Sequence, residues 1–256
     1  MSRESTHGRS HLGRSHLAGV RTKLPPASAG GQLALLEEPA APSERRELLP
    51  SVVLVTRWLD AAAQRALASE FRRWAAPPAG LRHPRVPGGH LMSVQSVCLG
   101  WHWFPYVYSK TADDTDGEPV KPLPPELFAL GRAAVAAAYG ADSAAARAYA
   151  PDAAIVNLYA PGAKLGLHRD AEEPSDAPVV TLSLGDRCVF RLAGVSRRSA
   201  PFRDVELASG DLLVFGGPSR RIYHGVPKVL SGTAPAGLGL PPGRLSITLR
   251  ETGLAA

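Results

Sequence analysis

Apolar residues are distributed along this chain in three distinct patterns. Residues 1 to 47 are polar and lack a clear amphipathic pattern. The pentad Gly-Arg-Ser-His-Leu occurs there twice in tandem, at residues 8–12 and 13–17. This composition predicts a disordered or low-complexity tail. His7, His11 and His16 fall in the repeat, where a solvated tail is a better reading than a metal site. The short apolar stretch at residues 33–36 is a candidate docking element. A folded domain is expected over 48–256. It opens with "SVVLVTRWL", a β-branched apolar run that predicts a strand. Asp60 is placed to cap a helix over "AAAQRALASEFRRW", which Pro77, Pro78 and Gly80 end. A Pro/Gly-rich loop leads into "GGHLMSVQSVCLGW", expected to form a strand pair. Residues 111–121 are acidic and turn-like. Pro124 and Pro125 open a second helix, which Gly140 closes.

After Ala150 the pattern changes. "AAIVNLYA", "PVVTLSLG", "CVFRLAG", "DVELASG", "DLLVFGG" and "RLSITLRE" are short, rich in strand formers and punctuated by Gly, Pro, Asn and Asp. Helices early and closely spaced strands late predict an α+β fold built on a jelly roll or barrel.

Composition adds bounds. The chain has 256 residues, of which 45% are hydrophobic, enough for one ample domain with a tail. No apolar run reaches the roughly 20 residues a membrane span needs, and the N-terminus lacks the apolar core of a secretory signal. A formal net charge of +6 favours a polyanionic partner, nucleic acid first. The two cysteines, Cys98 and Cys188, form no CxxC pair. They fit a reducing cytoplasm, as a ferrous site would.

The chemistry concentrates in two segments. His168 and Asp170 are two apart, so on extended backbone they face the same way. With His224 they compose the two-His, one-carboxylate triad of a non-haem Fe(II) site, which leaves coordination positions open. Downstream, Arg244, Ser246, Thr248 and Arg250 alternate along one expected strand and share a face. Arginine is the fork suited to carboxylates, so this face suggests a polar pocket for a dicarboxylate such as 2-oxoglutarate. Asn157 and Tyr159 alternate likewise and are candidate donors to the same ligand.

The segments "NLYAPGAKLGLHRDAEEP", "PVVTLSLG", "GDLLVFGGPSRRIYHG" and "RLSITLR" resemble, in order and wording, the AlkB family of Fe(II)/2-oxoglutarate dioxygenases. Upstream, "PGGHLMSV" and "LGW" followed by "YVYS" are similar to that family's nucleotide-recognition lid, which places the lid within 48–110. The resemblance implies a double-stranded β-helix (jelly roll) core with flanking N-terminal helices. It implies Fe(II), 2-oxoglutarate as co-substrate, and O2. It also implies oxidative demethylation of N-alkyl lesions of the 1-methyladenine and 3-methylcytosine type, releasing formaldehyde, succinate and CO2. The expected partner is alkylated single- or double-stranded DNA, or RNA, with no membrane and no obligate protein partner.

Residue by residue, the resemblance implies that His168, Asp170 and His224 ligate iron. Arg244 would pair with the distal carboxylate, assisted by Tyr159 and Ser246. Arg250 and Asn157 would lie at the keto-acid end, with Arg250 also holding Asp170. Trp101, Tyr106, Tyr108, Glu172 and Arg197 would serve the substrate, Tyr108 through phosphate. Trp103 is read as core. The sequence departs from the family at Ser246, where an Asn is expected, at Phe215 for a Trp, and at Glu172 for an Asp. Two other readings stand beside this one: a related oxygenase acting on RNA or protein, and a non-catalytic nucleic-acid-binding module. A hydrolytic zinc enzyme has no evident use for Arg244 and Arg250.

Overall fold

The computed structural model describes residues 42–255; the tandem repeat and the stretch at 33–36 lie outside them. The chain enters a sheet earlier than its apolar pattern indicates. Strand β1 (Glu44–Leu49) is mostly exposed and charged, and it pairs antiparallel with β2 (Val52–Thr56). Its charges lie on the sheet's outermost strand, where they discourage pairing with another chain. The helix α1 (Ala61–Ala75) starts where expected, because the Asp60 side chain accepts a hydrogen bond from the Ala63 amide at 2.7 Å. Pro125 opens α2 (Pro125–Tyr139), and Gly140, at φ 93°, ends it. A short helix, α3 (Ala144–Ala148), follows.

The strand pair expected in "GGHLMSVQSVCLGW" does not form. Gly88 and Gly89 both adopt left-handed backbone, and only β3 (Gln95–Leu99) joins a sheet. After it, β4 (His102–Phe104) and β5 (Val107–Ser109) make a separate hairpin. Gly100 is required between β3 and β4, since a Cβ there would lie 1.9 Å from the Asp152 carbonyl oxygen.

The remaining strands build two antiparallel sheets. The larger has the order β1-β2-β11-β8-β13-β6-β3, with β6 Ala153–Tyr159, β8 Val179–Gly185, β11 Leu212–Phe215 and β13 Arg244–Arg250. The smaller has the order β10-β9-β12-β7, with β7 Leu165–His168, β9 Arg187–Leu192, β10 Arg203–Leu207 and β12 His224–Leu230. This is the jelly roll expected of an α+β chain.

Period-2 alternation sorts the large sheet's side chains. Val53, Val55, Val156, Leu182, Ile247 and Leu249 point out onto α1 and α2. Val52, Leu54, Val179, Leu213 and Phe215 point in, against Phe190, Leu192 and Val226 of the small sheet. Both faces are covered, which is why these strands read as continuous apolar runs. The inner face of β6 and β13 is the exception. There Asn157, Tyr159, Arg244, Ser246, Thr248 and Arg250 replace apolar residues, and the interior becomes a site.

Candidate active site

His168 ends β7 and His224 begins β12, and the two are direct cross-strand partners. Their rings lie 4.4 Å apart between centroids. Asp170, two residues beyond His168, reaches the same point. Its Oδ1 is 3.8 Å from the His168 Nε2 and its Oδ2 is 3.9 Å from the His224 Nε2. The three ligand atoms lie within 4.8 Å of one another.

Both histidines are oriented by the same device. Each Nδ1 lies 3.0 Å from the carbonyl oxygen two residues before it, Gly166 for His168 and Ile222 for His224. A proton held on Nδ1 leaves Nε2 free to ligate. Burial, with the neighbouring His168, lowers the His224 pKa to about 4, so its imidazole is neutral at physiological pH. Phe190 stacks on His224 at 5.6 Å and Phe215 backs it at 4.9 Å. The Phe215 departure therefore keeps an aromatic wall behind this ligand.

Asp170 is almost wholly buried. Burial alone would raise its pKa, but the Arg250 guanidinium, with Nη2 2.7 Å from Oδ1, outweighs it and holds the carboxylate at about 2. The Oδ2 faces the histidines with no hydrogen-bond partner. A buried, ionised oxygen left unpaired between two imidazole nitrogens is costly unless a cation completes it. The donor set therefore fits a divalent metal.

Behind the triad lies a narrow cavity lined by Tyr159, Ser246, Thr248 and Arg244, and it reaches the ligands. Arg244 is fully buried. Among the described residues it has no carboxylate partner. Its Nη2 donates to the hydroxyls of Ser183 at 2.9 Å and Ser246 at 3.4 Å, while Nε and Nη1 are unpaired. The guanidinium lies 5.2 Å from the Tyr159 ring, whose hydroxyl is pushed up to about 12 by burial. A buried cation with two idle donors fits an anionic ligand group. Ser246 supplies only a weak contact to Arg244, and Ser183, unpredicted, supplies the better one. Strand register explains this: Ser96, Asn157, Ser246 and Ser183 form one row across β3, β6, β13 and β8.

A wider cavity of about 480 Å3 opens onto His168, Asp170, Asn157 and Arg250 from the other side. Met92, Trp103, Tyr106 and Glu172 also line it. Tyr106, at the tip of the β4–β5 hairpin, is 67% exposed and adopts φ 74°.

The structure places three expected substrate residues elsewhere. Trp101 is 8% exposed and turned away from the cavity. Its Nε1 donates to Asp152 Oδ2 at 3.1 Å, and Lys110 covers its ring. Trp103, read as core, lines the cavity instead. Trp101 lies on the bend at Gly100, before β4 begins at His102, so strand alternation does not relate its face to that of Trp103. Tyr108 is engaged inward, with its hydroxyl donating to Glu173 and accepting from Arg250 at 2.8 Å. It is not free to meet a phosphate. Arg197 is exposed beside Phe202 and Arg203, and its neighbour Arg198 lines the cavity instead. Glu173 and Arg220, both buried and paired at 3.2 Å, were not foreseen. Their signal was faint: a second acid beside Glu172, and an Arg in "SRRIYHG".

Residues 51–250 match the family model described as the 2OG-Fe(II) oxygenase superfamily. The alpha-ketoglutarate-dependent dioxygenase AlkB of Salmonella typhimurium is 37% identical over 73% of this chain and 85% of its own length. The DNA N(6)-methyladenine demethylase ALKBH1D of Arabidopsis thaliana is 30% identical over 82% of this chain and 51% of its own length. The solved structure of OsALKBH1 superposes with a TM-score of 0.73 at 31% identity, covering 81% of this chain and all of that one.

Proposed function

This chain belongs to the 2OG-Fe(II) oxygenase superfamily and, within it, to the AlkB family, and from that premise we propose that it is an oxidative demethylase of N-alkylated nucleic-acid bases. Its cofactors are Fe(II) and 2-oxoglutarate, with O2. The proposed substrate is DNA carrying 1-methyladenine or 3-methylcytosine, with RNA as the second polymer. One relative, the tRNA demethylase abh1 of Schizosaccharomyces pombe, is 40% identical over 29% of this chain, which favours testing RNA alongside DNA.

The observation that carries this reading is the meeting of two cavities at one triad. His168, Asp170 and His224 would hold the iron. Arg244 would take the distal carboxylate of 2-oxoglutarate, with Tyr159, Ser246 and Ser183 around it. Asn157 and Arg250 would flank the keto-acid end. Bound together, iron, 2-oxoglutarate and O2 supply an oxidant that hydroxylates an N-methyl carbon, giving formaldehyde, succinate and CO2.

The chain's own residues bind and orient. A lesion on a base's pairing edge is hidden in a duplex, so the base must be flipped out or offered on a single strand. Trp103 and Tyr106 provide aromatic faces to replace lost stacking. Glu172, half-buried in the same cavity as His168 and Asp170, would accept a hydrogen bond from an exocyclic amine. The basic side chains Lys164, Arg169 and Arg198 ring the opening and suit phosphates.

The test is product analysis by mass spectrometry on single-stranded DNA and RNA oligonucleotides carrying either lesion. Loss of one methyl with formaldehyde release is expected on DNA. Loss on RNA alone would move the substrate to RNA. Succinate formation with no oligonucleotide demethylated would contradict the reading.

A further inference from the structure

The β4–β5 hairpin is tied to the metal ligands by a buried chain of polar contacts. Tyr108 on β5 donates to Glu173 Oε1. The same oxygen accepts from Arg250 Nη1 at 2.7 Å, and Arg250 Nη2 meets Asp170 Oδ1 at 2.7 Å. The other oxygen of Glu173 accepts from Arg220 Nη2 at 3.2 Å. Arg220 in turn donates to the carbonyls of Asp170 at 3.0 Å and Ala177 at 2.6 Å. The Glu173 side chain is wholly buried, and among the described residues it is the carboxylate shared by both arginines.

We propose that Glu173 is a positioning residue that couples the cavity-lining hairpin to the iron ligand Asp170. The inference rests on the iron site proposed above. The physical reason is charge. Two guanidiniums and two carboxylates are buried here in alternation, and each carboxylate restrains the pull of Arg250 on the other. Without the charge of Glu173, Arg250 would draw on Asp170 alone, and two buried cations would face the metal position. Both effects oppose cation binding at that position. Tyr108 extends the same chain into the hairpin carrying Trp103 and Tyr106. A filled metal site therefore favours a seated hairpin, and a seated hairpin favours a filled site, because coupling between two sites is reciprocal.

Two variants of the full chain test this. Glu173→Gln keeps the shape and removes the charge. Anaerobic titration with Mn(II), followed by electron paramagnetic resonance, should show affinity at least fivefold weaker than the unaltered chain, with a retained circular dichroism spectrum. Unchanged affinity in a folded variant would overturn the proposal. Tyr108→Phe leaves the charges intact and cuts the link. Amide hydrogen exchange over residues 102–109 should slow when Mn(II) and 2-oxoglutarate are added to the unaltered chain, and should not slow in this variant. Equal slowing in both would overturn the coupling even if Glu173→Gln fails to fold. Mn(II) binding by the unaltered chain itself, and its loss in His168→Ala, tests the iron-site premise separately.

Discussion

At the scale of single residues, two tryptophans two apart have opposite jobs. Trp103 presents its ring to the wide cavity, while Trp101 is buried and hydrogen-bonded to Asp152. Stacking one base on an aromatic ring is worth about 1–3 kcal/mol, so Trp103→Ala should raise KM for a methylated oligonucleotide roughly tenfold. It should leave 2-oxoglutarate affinity unchanged. Trp101→Ala should instead lower thermal stability, with KM nearly constant in the protein that remains folded. Steady-state kinetics and a melting curve on each variant separate the two outcomes. Arg244 permits a sharper test, since it is buried with two idle donors. Arg244→Lys keeps the charge but loses the planar fork. It should weaken 2-oxoglutarate binding about tenfold or more by anaerobic calorimetry while Mn(II) binding persists. The row of Arg244, Ser246, Thr248 and Arg250 was legible in the sequence because alternation along a strand fixes which side chains share a face, and the triad was legible from the residue types and their order along the chain. Glu173, Ser183 and Arg220 were not, because their partners come from distant segments.

At the scale of elements, capped and punctuated segments were readable, and charged or Gly-broken ones were not. Asp60 and Gly140 marked helix ends that the structure keeps. β1 escaped notice because Glu44, Arg45, Arg46 and Glu47 show no apolar alternation. The segment before β3 misled because its apolar residues, Leu91 and Met92, serve the cavity rather than a strand. The hairpin that follows is held by Arg82. This buried guanidinium lies 3.1 Å from Asp114, donates to the Ser96 carbonyl at 2.9 Å, and also binds the Trp103 carbonyl. Burial tends to raise the Asp114 pKa, but His102 and Arg82 outweigh it and bring it from 3.8 to about 2. A folded-state pKa below the unfolded value means that the stabilisation is present above about pH 4 and fades as pH falls towards 2. Urea unfolding at pH 5 and pH 3 should therefore show a stability loss in the unaltered chain that is smaller in Asp114→Asn. An equal loss in both would remove Asp114 from the account.

At the scale of the whole molecule, the fold encloses a polar site inside an apolar jelly roll, and that arrangement buries polar atoms that the chain itself does not pair. Asp170 Oδ2, Arg244 Nε and Nη1, and Arg250 Nε are buried without partners. Ligands that satisfy them bind only the folded chain and stabilise it, by about 2.7 kcal/mol at a hundred times Kd. For a domain of this size each kcal/mol shifts Tm by roughly 2–4 °C. Mn(II) with 2-oxoglutarate should therefore raise Tm by several degrees under anaerobic scanning calorimetry, and a chelator should reverse the shift. No helix among the described residues is long and apolar enough to cross a membrane.

The most direct test of the central claim is the yield of succinate and of demethylated base in a single anaerobic reconstitution with Fe(II), 2-oxoglutarate and a single-stranded oligonucleotide carrying 1-methyladenine, started by adding air. The two cavities meet at one triad, so the account predicts about one succinate for each methyl lost, and neither product from Asp170→Ala. Succinate formed at the same rate with and without the oligonucleotide, and no methyl lost, would contradict it.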